Sequence, residues 1–283
     1  GKLETGVTTL PDLTKDATDR NRTSPFAFTG NKFEFRMVGS RDSIAGPNVV
    51  LNTIVAEAFA EACDVLEKAD DFDTAVHSLI KEYLTEHQRI IFNGNGYSDE
   101  WVAEAERRGL PNIKCMVDAV PALVKPEAVE IFEKHGVYTK AEMESRAEVM
   151  YETYSKTINI EALTMIDMAK KQIVPATIKY QTSLAESVNA IKAASSAVDT
   201  SVQEALMADI STNLKDMYAA LAHLEEVAGK AEAMEEGAEQ GHYYHDVVFT
   251  AMDELRTPAD KLERLVAKSA WPFPSYGDLI FEV

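Results

Sequence analysis

Cysteine, positive charge and long apolar runs are all scarce in this chain. Two cysteines, Cys63 and Cys115, among 283 residues cannot supply a disulfide framework, and they fit a reduced, cytoplasmic setting. Both read most simply as small core residues. Lysine and arginine number 28 against 47 aspartates and glutamates, a formal net charge of −19. Nucleic acid and anionic membrane each require a basic surface, so neither is expected as a partner. No apolar stretch is long enough to span a bilayer, and no signal peptide is evident. Phosphate-binding glycine motifs are missing too. Asn93-Gly94-Asn95-Gly96 has neither the lysine nor the spacing of a P-loop and does not match G-x-G-x-x-G, so it reads as a turn cluster. His77, His87, His135 and His223 are isolated, which leaves no Ser/His/Asp or Cys/His constellation to argue. His242 and His245 stand three apart, but zinc would need a further ligand and none is indicated. Packing and capping at a helix start is the simpler reading.

What the chain has in abundance is helical periodicity. At this length it can bury one sizeable core or two smaller ones. Helices are expected from Asn48, from Thr74 to about Phe92, and from Ser98, an N-cap followed by Asp99 and Glu100, to near Gly109. A short helix fits Val117 to Val124. From Pro126 the periodicity is almost unbroken, with helices over about 126–135, 139–172 and 176–195. Thr139 and Glu142 form a capping box, and Pro175 is expected to kink or end a helix. Val198, Val202, Leu206, Ile210, Leu214, Met217, Leu221 and Leu224 then form an apolar stripe, the seam of a coiled coil or helical hairpin. Gly237 and Gly241 are expected to end it. Helices over about 242–255 and 258–268 follow, with Pro258 in a first turn. Trp271-Pro-Phe-Pro-Ser-Tyr-Gly277 is expected to be a non-helical tail docked on another surface. Met165, Met168, Met207 and Met217 are core residues on this reading, and Glu225 to Glu239 a solvated face or an acidic partner surface.

One stretch departs from the pattern of helix packing. Lys32-Phe33-Glu34-Phe35-Arg36-Met37 alternates between charged and apolar residues, the period of a half-buried strand. Lys32, Glu34 and Arg36 must share one face, with Phe33, Phe35 and Met37 on the other. A carboxylate between two cations could hold a metal ion and anionic substrate groups. It could equally be a solvated face whose charges pair across to a neighbour. Residues 1 to 18 are polar and turn-rich.

Asn21-Arg22-Thr23-Ser24, a short link, and Phe33-Glu34-Phe35-Arg36 resemble the late active-site strand of glutamine synthetases. The run from Asn21 to Arg36, Ser43-Ile-Ala-Gly-Pro-Asn48 and Trp271 to Asp278 resemble the long, type III branch of that family, and the likeness runs end to end. Gly1 in place of Met and the loop-like opening to Pro11 then read as part of a longer chain, with most of the catalytic domain upstream. The fold expected is mainly α: a helical bundle or coiled-coil hairpin region, plus a short β segment belonging to the family's catalytic α+β domain. Residues 1–125 would close the catalytic domain and 126–283 would form the helical bundle.

The resemblance also implies roles. Glu34 would ligate one of the divalent ions, Mg²⁺ or Mn²⁺, that bridge to ATP. Arg36 would bind the glutamate carboxylate. Arg22 would face the reacting phosphates, and Lys32 would reach the nucleotide. Many members carry a second phosphate arginine where this sequence has Ala27. The activity implied is ATP-dependent joining of glutamate and ammonia, in a ring-forming homo-oligomer, with this chain alone inactive. The alternative is a non-catalytic helical module for oligomerisation or interaction.

Overall fold

The computed structural model describes residues 2–3, 13–14, 22, 26–30, 32–36 and 43–281. These fall into two compact units, one built from residues 1–114 with 126–139, the other from 115–125 with 140–283. Helix dominates both, as the periodicity predicts. Among the described residues no helix is long and apolar enough to cross a membrane.

In the first unit, Lys2–Leu3 (β1) and Leu13–Thr14 (β2) pair antiparallel, within the stretch read as polar and turn-rich. Phe26–Phe28 (β3) and Phe33–Phe35 (β4) form an antiparallel hairpin. The turn between them is closed by Thr29, whose N–H and hydroxyl both donate to the Lys32 carbonyl at 2.8 and 3.1 Å. Gly30 sits in that turn at φ 89°, a conformation open to glycine at little cost. Helix α1, Ala45–Leu66, begins three residues earlier than expected and carries Pro47 in its first turn, where a missing N–H costs no bond. Helix α2, Phe72–Glu86, is capped by Asp71, which accepts from Thr74 N. It stops short of Phe92, in a 3-10 turn at Gln88–Ile90. Ser98 caps α3, Asp99–Arg107, by accepting from Trp101 N, and the helix gives way to Gly109 at φ 71°. Arg108 fastens α3 to the preceding segment. It donates to the carbonyls of Arg89 and Ile91 at 3.2 and 3.0 Å and lies over the Trp101 ring. Helix α5, Pro126–Lys134, packs on α1. Glu57 ties the two together, accepting from Lys134 at 2.6 Å and meeting His135 Nε2 at 2.7 Å.

The second unit contains α4, Met116–Leu123, and a helix unbroken from Lys140 to Ala194. That helix comprises α6, Lys140–Met168, a π turn at Ala169–Ile173 and α7, Val174–Ala194. Pro175 therefore neither ends nor breaks it. The π register just upstream, where Val174 N–H reaches the Ala169 carbonyl, widens the turn that the proline ring would otherwise strike. Helix α8, Ser201–Glu232, buries Ile210, Met217, Leu221, Leu224, Val227, Ala228 and Ala231. Its contact with α10, Phe249–Leu265, is the most extensive between any two elements, followed by that with α7. From Ile210 onward the expected stripe is thus the core face of this unit, whereas Val198 lies before the helix and Val202 is exposed. Four of its members line that core: Ile210, Met217, Leu221 and Leu224.

Several details differ from the sequence reading. Helix α8 ends at Glu232, before Gly237. Gly237, at φ 141°, instead precedes α9, Ala238–Tyr243. Gly241 lies inside α9, where a Cβ would stand 3.1 Å from Val117 Cγ1 and 3.3 Å from Tyr151 Cδ1. It permits close approach and ends nothing. Pro258 lies buried within α10 and does not open a helix; tertiary burial offsets its lost hydrogen bond. A second π turn, Tyr244–Val248, joins α9 to α10. The cysteines are both free, but Cys63 is exposed and Cys115 half-buried, so neither is the core residue expected.

In the tail, Trp271 and Phe273 pack against the core as predicted, but Tyr276–Phe281 is a short helix, α11. Its first turn is latched by Asp278. That carboxylate accepts from Lys268 Nζ at 2.5 Å and from Ser275 N and Oγ at 2.8 and 2.6 Å. The bond from Lys268, then those from Ser275, hold its carboxyl down at about 2.

Gly241→Val is expected to destabilise the helical unit by about 2 kcal/mol through overpacking. Gly229→Ala, at an exposed position in α8 with open space where a Cβ would go, is expected to stabilise by about 0.5–1 kcal/mol. Urea denaturation of the two variants distinguishes the signs. Because folding lowers the Asp278 pKa, its latch contributes stability above about pH 4 and loses it as pH falls toward 2. Acrylamide quenching of Trp271, read in a Trp101→Phe background, should therefore stay flat from pH 7 to 4. Asp278→Asn should raise it throughout.

Candidate functional site: the charged face of the hairpin

The register of the hairpin decides which side chains share a face. Phe26 lies opposite Phe35, Ala27 opposite Glu34 and Phe28 opposite Phe33. Directly opposed residues point the same way. One face therefore carries four phenylalanines, and the other carries Glu34 with Ala27 across from it and Lys32 and Arg36 on either side. The alternation read from the sequence is thereby realised for Lys32 to Arg36. Met37 lies outside the described residues.

On the charged face Glu34 is clasped from both ends. Arg36 donates to Oε2 through Nη2 and through Nε, the latter at 3.2 Å. Lys32 Nζ stands 3.6 Å from Oε1. The Arg36 hydrogen bond is the main cause that holds the Glu34 carboxyl below the usual glutamate range; desolvation opposes it, and the charges of Arg36 and Lys32 add smaller pulls in the same downward direction. Ala27 is fully buried. At this position a larger side chain would enter the Glu34 face directly. Arg22 is exposed; Asn21, Thr23 and Ser24 beside it lie outside the described residues. The structure thus brings together three of the four predicted site residues and records no contact between them and Arg22.

The phenylalanine face is unusual for its exposure. Phe26, Phe28, Phe33 and Phe35 stack edge to face and face to face, with centroids 5.2 to 6.1 Å apart, yet Phe33 remains 65% and Phe28 57% exposed. Phe26, Phe33 and Phe35 line a groove whose other side is α1, at Leu51 and Val55, with Arg36 at its edge. The second half of this face was legible in Phe26-Ala27-Phe28, itself an alternating triplet.

The histidine pair near 242 does not converge. His242 Nδ1 lies 3.8 Å from Asp118 Oδ1, while His245 Nδ1 bonds Asp246 at 2.7 Å. Asp118 also accepts from the Cys115 thiol at 2.9 Å. Burial and the Asp118 carboxylate push that thiol's pKa up, the opposite of what a thiolate nucleophile needs. Nothing in the sequence signalled the meeting of Asp118 and His242 across the chain. Among the described residues no set of three histidines, cysteines, aspartates or glutamates is placed to hold a metal ion. Glu34 is an oxygen donor of the kind a hard divalent ion prefers, but it is one carboxylate. A complete site would need further donors from elsewhere.

A mainly helical chain with an acid-and-base strand face matches a known class. Residues 75–192 match the family model for the glutamine synthetase C-terminal domain. The chain carries a match to that domain and is similar to glutamine synthetases over nearly its whole length. It is 39% identical over 276 residues to a glutamine synthetase of Butyrivibrio fibrisolvens, covering 96% of this chain and 39% of that protein. It is 34% identical over 286 residues to the type-3 glutamine synthetase of Dictyostelium discoideum, and 32% over 287 residues to the glutamine synthetase of Bacteroides fragilis. Each of these alignments covers 99% of this chain and 39% of the relative. The chain therefore spans well under half the length of the curated relatives it matches, and its likeness includes the type III branch.

In carbon-detected NMR titration, the Glu34 carboxyl is expected to change state below the ordinary glutamate midpoint. Arg36→Ala should move that midpoint up toward it, and Lys32→Ala should move it by less. Equal and negligible shifts in the two variants would show that the clasp does not persist in solution.

Proposed function

We propose that this chain is part of an ATP-dependent glutamine synthetase, which converts glutamate and ammonia to glutamine through γ-glutamyl phosphate. The reading is carried by the likeness to glutamine synthetases over 96% and more of the chain. In it, Glu34 contributes one carboxylate oxygen to a divalent ion, Mg²⁺ or Mn²⁺, completed by donors in the rest of the parent enzyme. When bound, such an ion offsets negative charge on the phosphates. Arg36, whose planar guanidinium already pairs with a carboxylate here, presents the geometry that grips the substrate's carboxylate. Arg22 stabilises negative charge on the transferring phosphoryl group, and Lys32 reaches the nucleotide. A cytoplasmic setting agrees with two free thiols.

The chain alone is inactive on this proposal. Its hairpin offers one metal ligand, and its phenylalanine face stands exposed for want of covering chain. The upstream part of the same polypeptide supplies the remaining ligands and nucleotide walls. The helical unit, which has an extensive core of its own, serves assembly of a homo-oligomer. A non-catalytic oligomerisation module is the second reading, favoured by that self-contained helical core.

The test is glutamine formation from glutamate, ammonia, ATP and Mg²⁺. The expected result is none from the chain alone and activity when it is combined with the upstream part of its parent. Glu34→Ala or Arg36→Ala should reduce that activity by at least about a hundredfold, the scale typical of a lost charge-stabilising group. A demonstrated complex that stays inactive, with assembly that depends on concentration, would favour the second reading.

A further inference from the structure

Far from the hairpin in sequence, the helical unit holds a half-open cavity of about 220 Å³ at the π turn between α6 and α7. Its floor is apolar. Met165 and Met168 come from α6, Ile173 from the π turn and Leu255 from α10, and Trp271 and Phe273 of the tail form its wall. The space exceeds the roughly 150 Å³ of a dry apolar cavity that takes up benzene. Such π turns interrupt the regular side-chain register of a helix and recur at binding sites. Methionine thioethers favour aromatic partners. Trp271 and Phe273 meet edge to face at 6.2 Å and 74°, and both border the cavity, an arrangement that a further ring can extend.

The mouth is charged, and unevenly so. Arg256 Nε pairs with Asp260 at 3.3 Å, one turn along α10. Glu263 follows on the same edge, and among the described residues no ion-pair partner is recorded for it. The mouth therefore carries one positive and two negative groups beside the Trp271 ring. A cation held there gains both a carboxylate and an aromatic face; an anion meets an unpaired Glu263.

We propose that this cavity binds a small aromatic amine, with its ring against Met165, Met168, Trp271 and Phe273 and its ammonium at Glu263. The site is separate from the hairpin, and its test does not depend on glutamine synthesis.

The experiment uses the 283-residue chain and three matched probes: phenethylamine, phenylacetate and 2-phenylethanol. Ligand-observed NMR competition gives their relative affinities, and calorimetry gives their dissociation constants. Phenethylamine is expected to bind more tightly than 2-phenylethanol, and phenylacetate most weakly. Glu263→Gln, at an exposed position that should not disturb folding, is expected to weaken the amine about threefold and leave the alcohol unchanged. Ala259→Leu, which fills the lining, should abolish binding of both. Phenylacetate binding as well as the amine, or an amine affinity indifferent to Glu263→Gln, would overturn the assignment of a cationic ligand. No saturable binding of any probe, or full binding by a folded Ala259→Leu variant, would overturn the site.

Discussion

The helical unit depends on one contact, the apolar face of α8 laid along α10. Met217, Leu221 and Leu224 are almost wholly withdrawn from water there, as are Val248 and Leu262 on the opposing segment. Each such side chain contributes about 1.5–3 kcal/mol by burial, so this seam outweighs any surface ion pair in the unit. It also tolerates what would break an isolated helix. Pro258 sits within α10, and a π turn leads into it, because packing holds the backbone where local preference would not. Helices α6 and α7 then close over α8, and the tail is fastened over the rim.

The hairpin unit is built on a different balance. Of the 22 residues of α1 only Thr53 is buried, and α2 buries only Leu79. Phe59 of α1 is 67% exposed, in keeping with the phenylalanine face of the hairpin. On the function proposed above, this exposed aromatic surface is where further chain of the parent enzyme packs. This unit is held together by ties such as Glu57 to α5 and Arg108 to the 3-10 turn.

The elements governed by local rules were legible in the sequence. Ser98 and its acidic first turn announced α3, the alternation of Lys32 to Arg36 announced a strand with its charges on one face, and the part of the stripe from Ile210 to Leu224 announced a buried seam, while Val198 and Val202 stayed exposed. Two of the misread points, Pro258 and Gly241, involve a residue whose local preference was overruled from a distance. Pro175 was expected to kink or end a helix, and with the π turn ahead of it the helix does not end there. Pro258 was expected to start one, and burial kept it inside. Gly241 looked like a terminator, yet it marks where α9 approaches Val117 and Tyr151. No window of sequence contains both sides of such a contact. The same holds for Asp118, which meets His242, and for the cavity at the π turn, whose walls come from three separate stretches of chain.

The clasp on Glu34 has a thermodynamic corollary. Its oxygens are already occupied, chiefly by Arg36, so a cation seeking that carboxylate competes with the guanidinium. Whatever displaces Arg36 leaves a planar, permanently charged fork in need of an anion. An anion that captures Arg36 in turn releases the carboxylate for a cation. The two vacancies arise together, so occupancy by opposite charges becomes reciprocal, each raising the affinity for the other by the same factor. On the function proposed above, one strand residue and the cations that flank it would make a latch of this kind, opened more readily by a pair of opposite ions than by either alone.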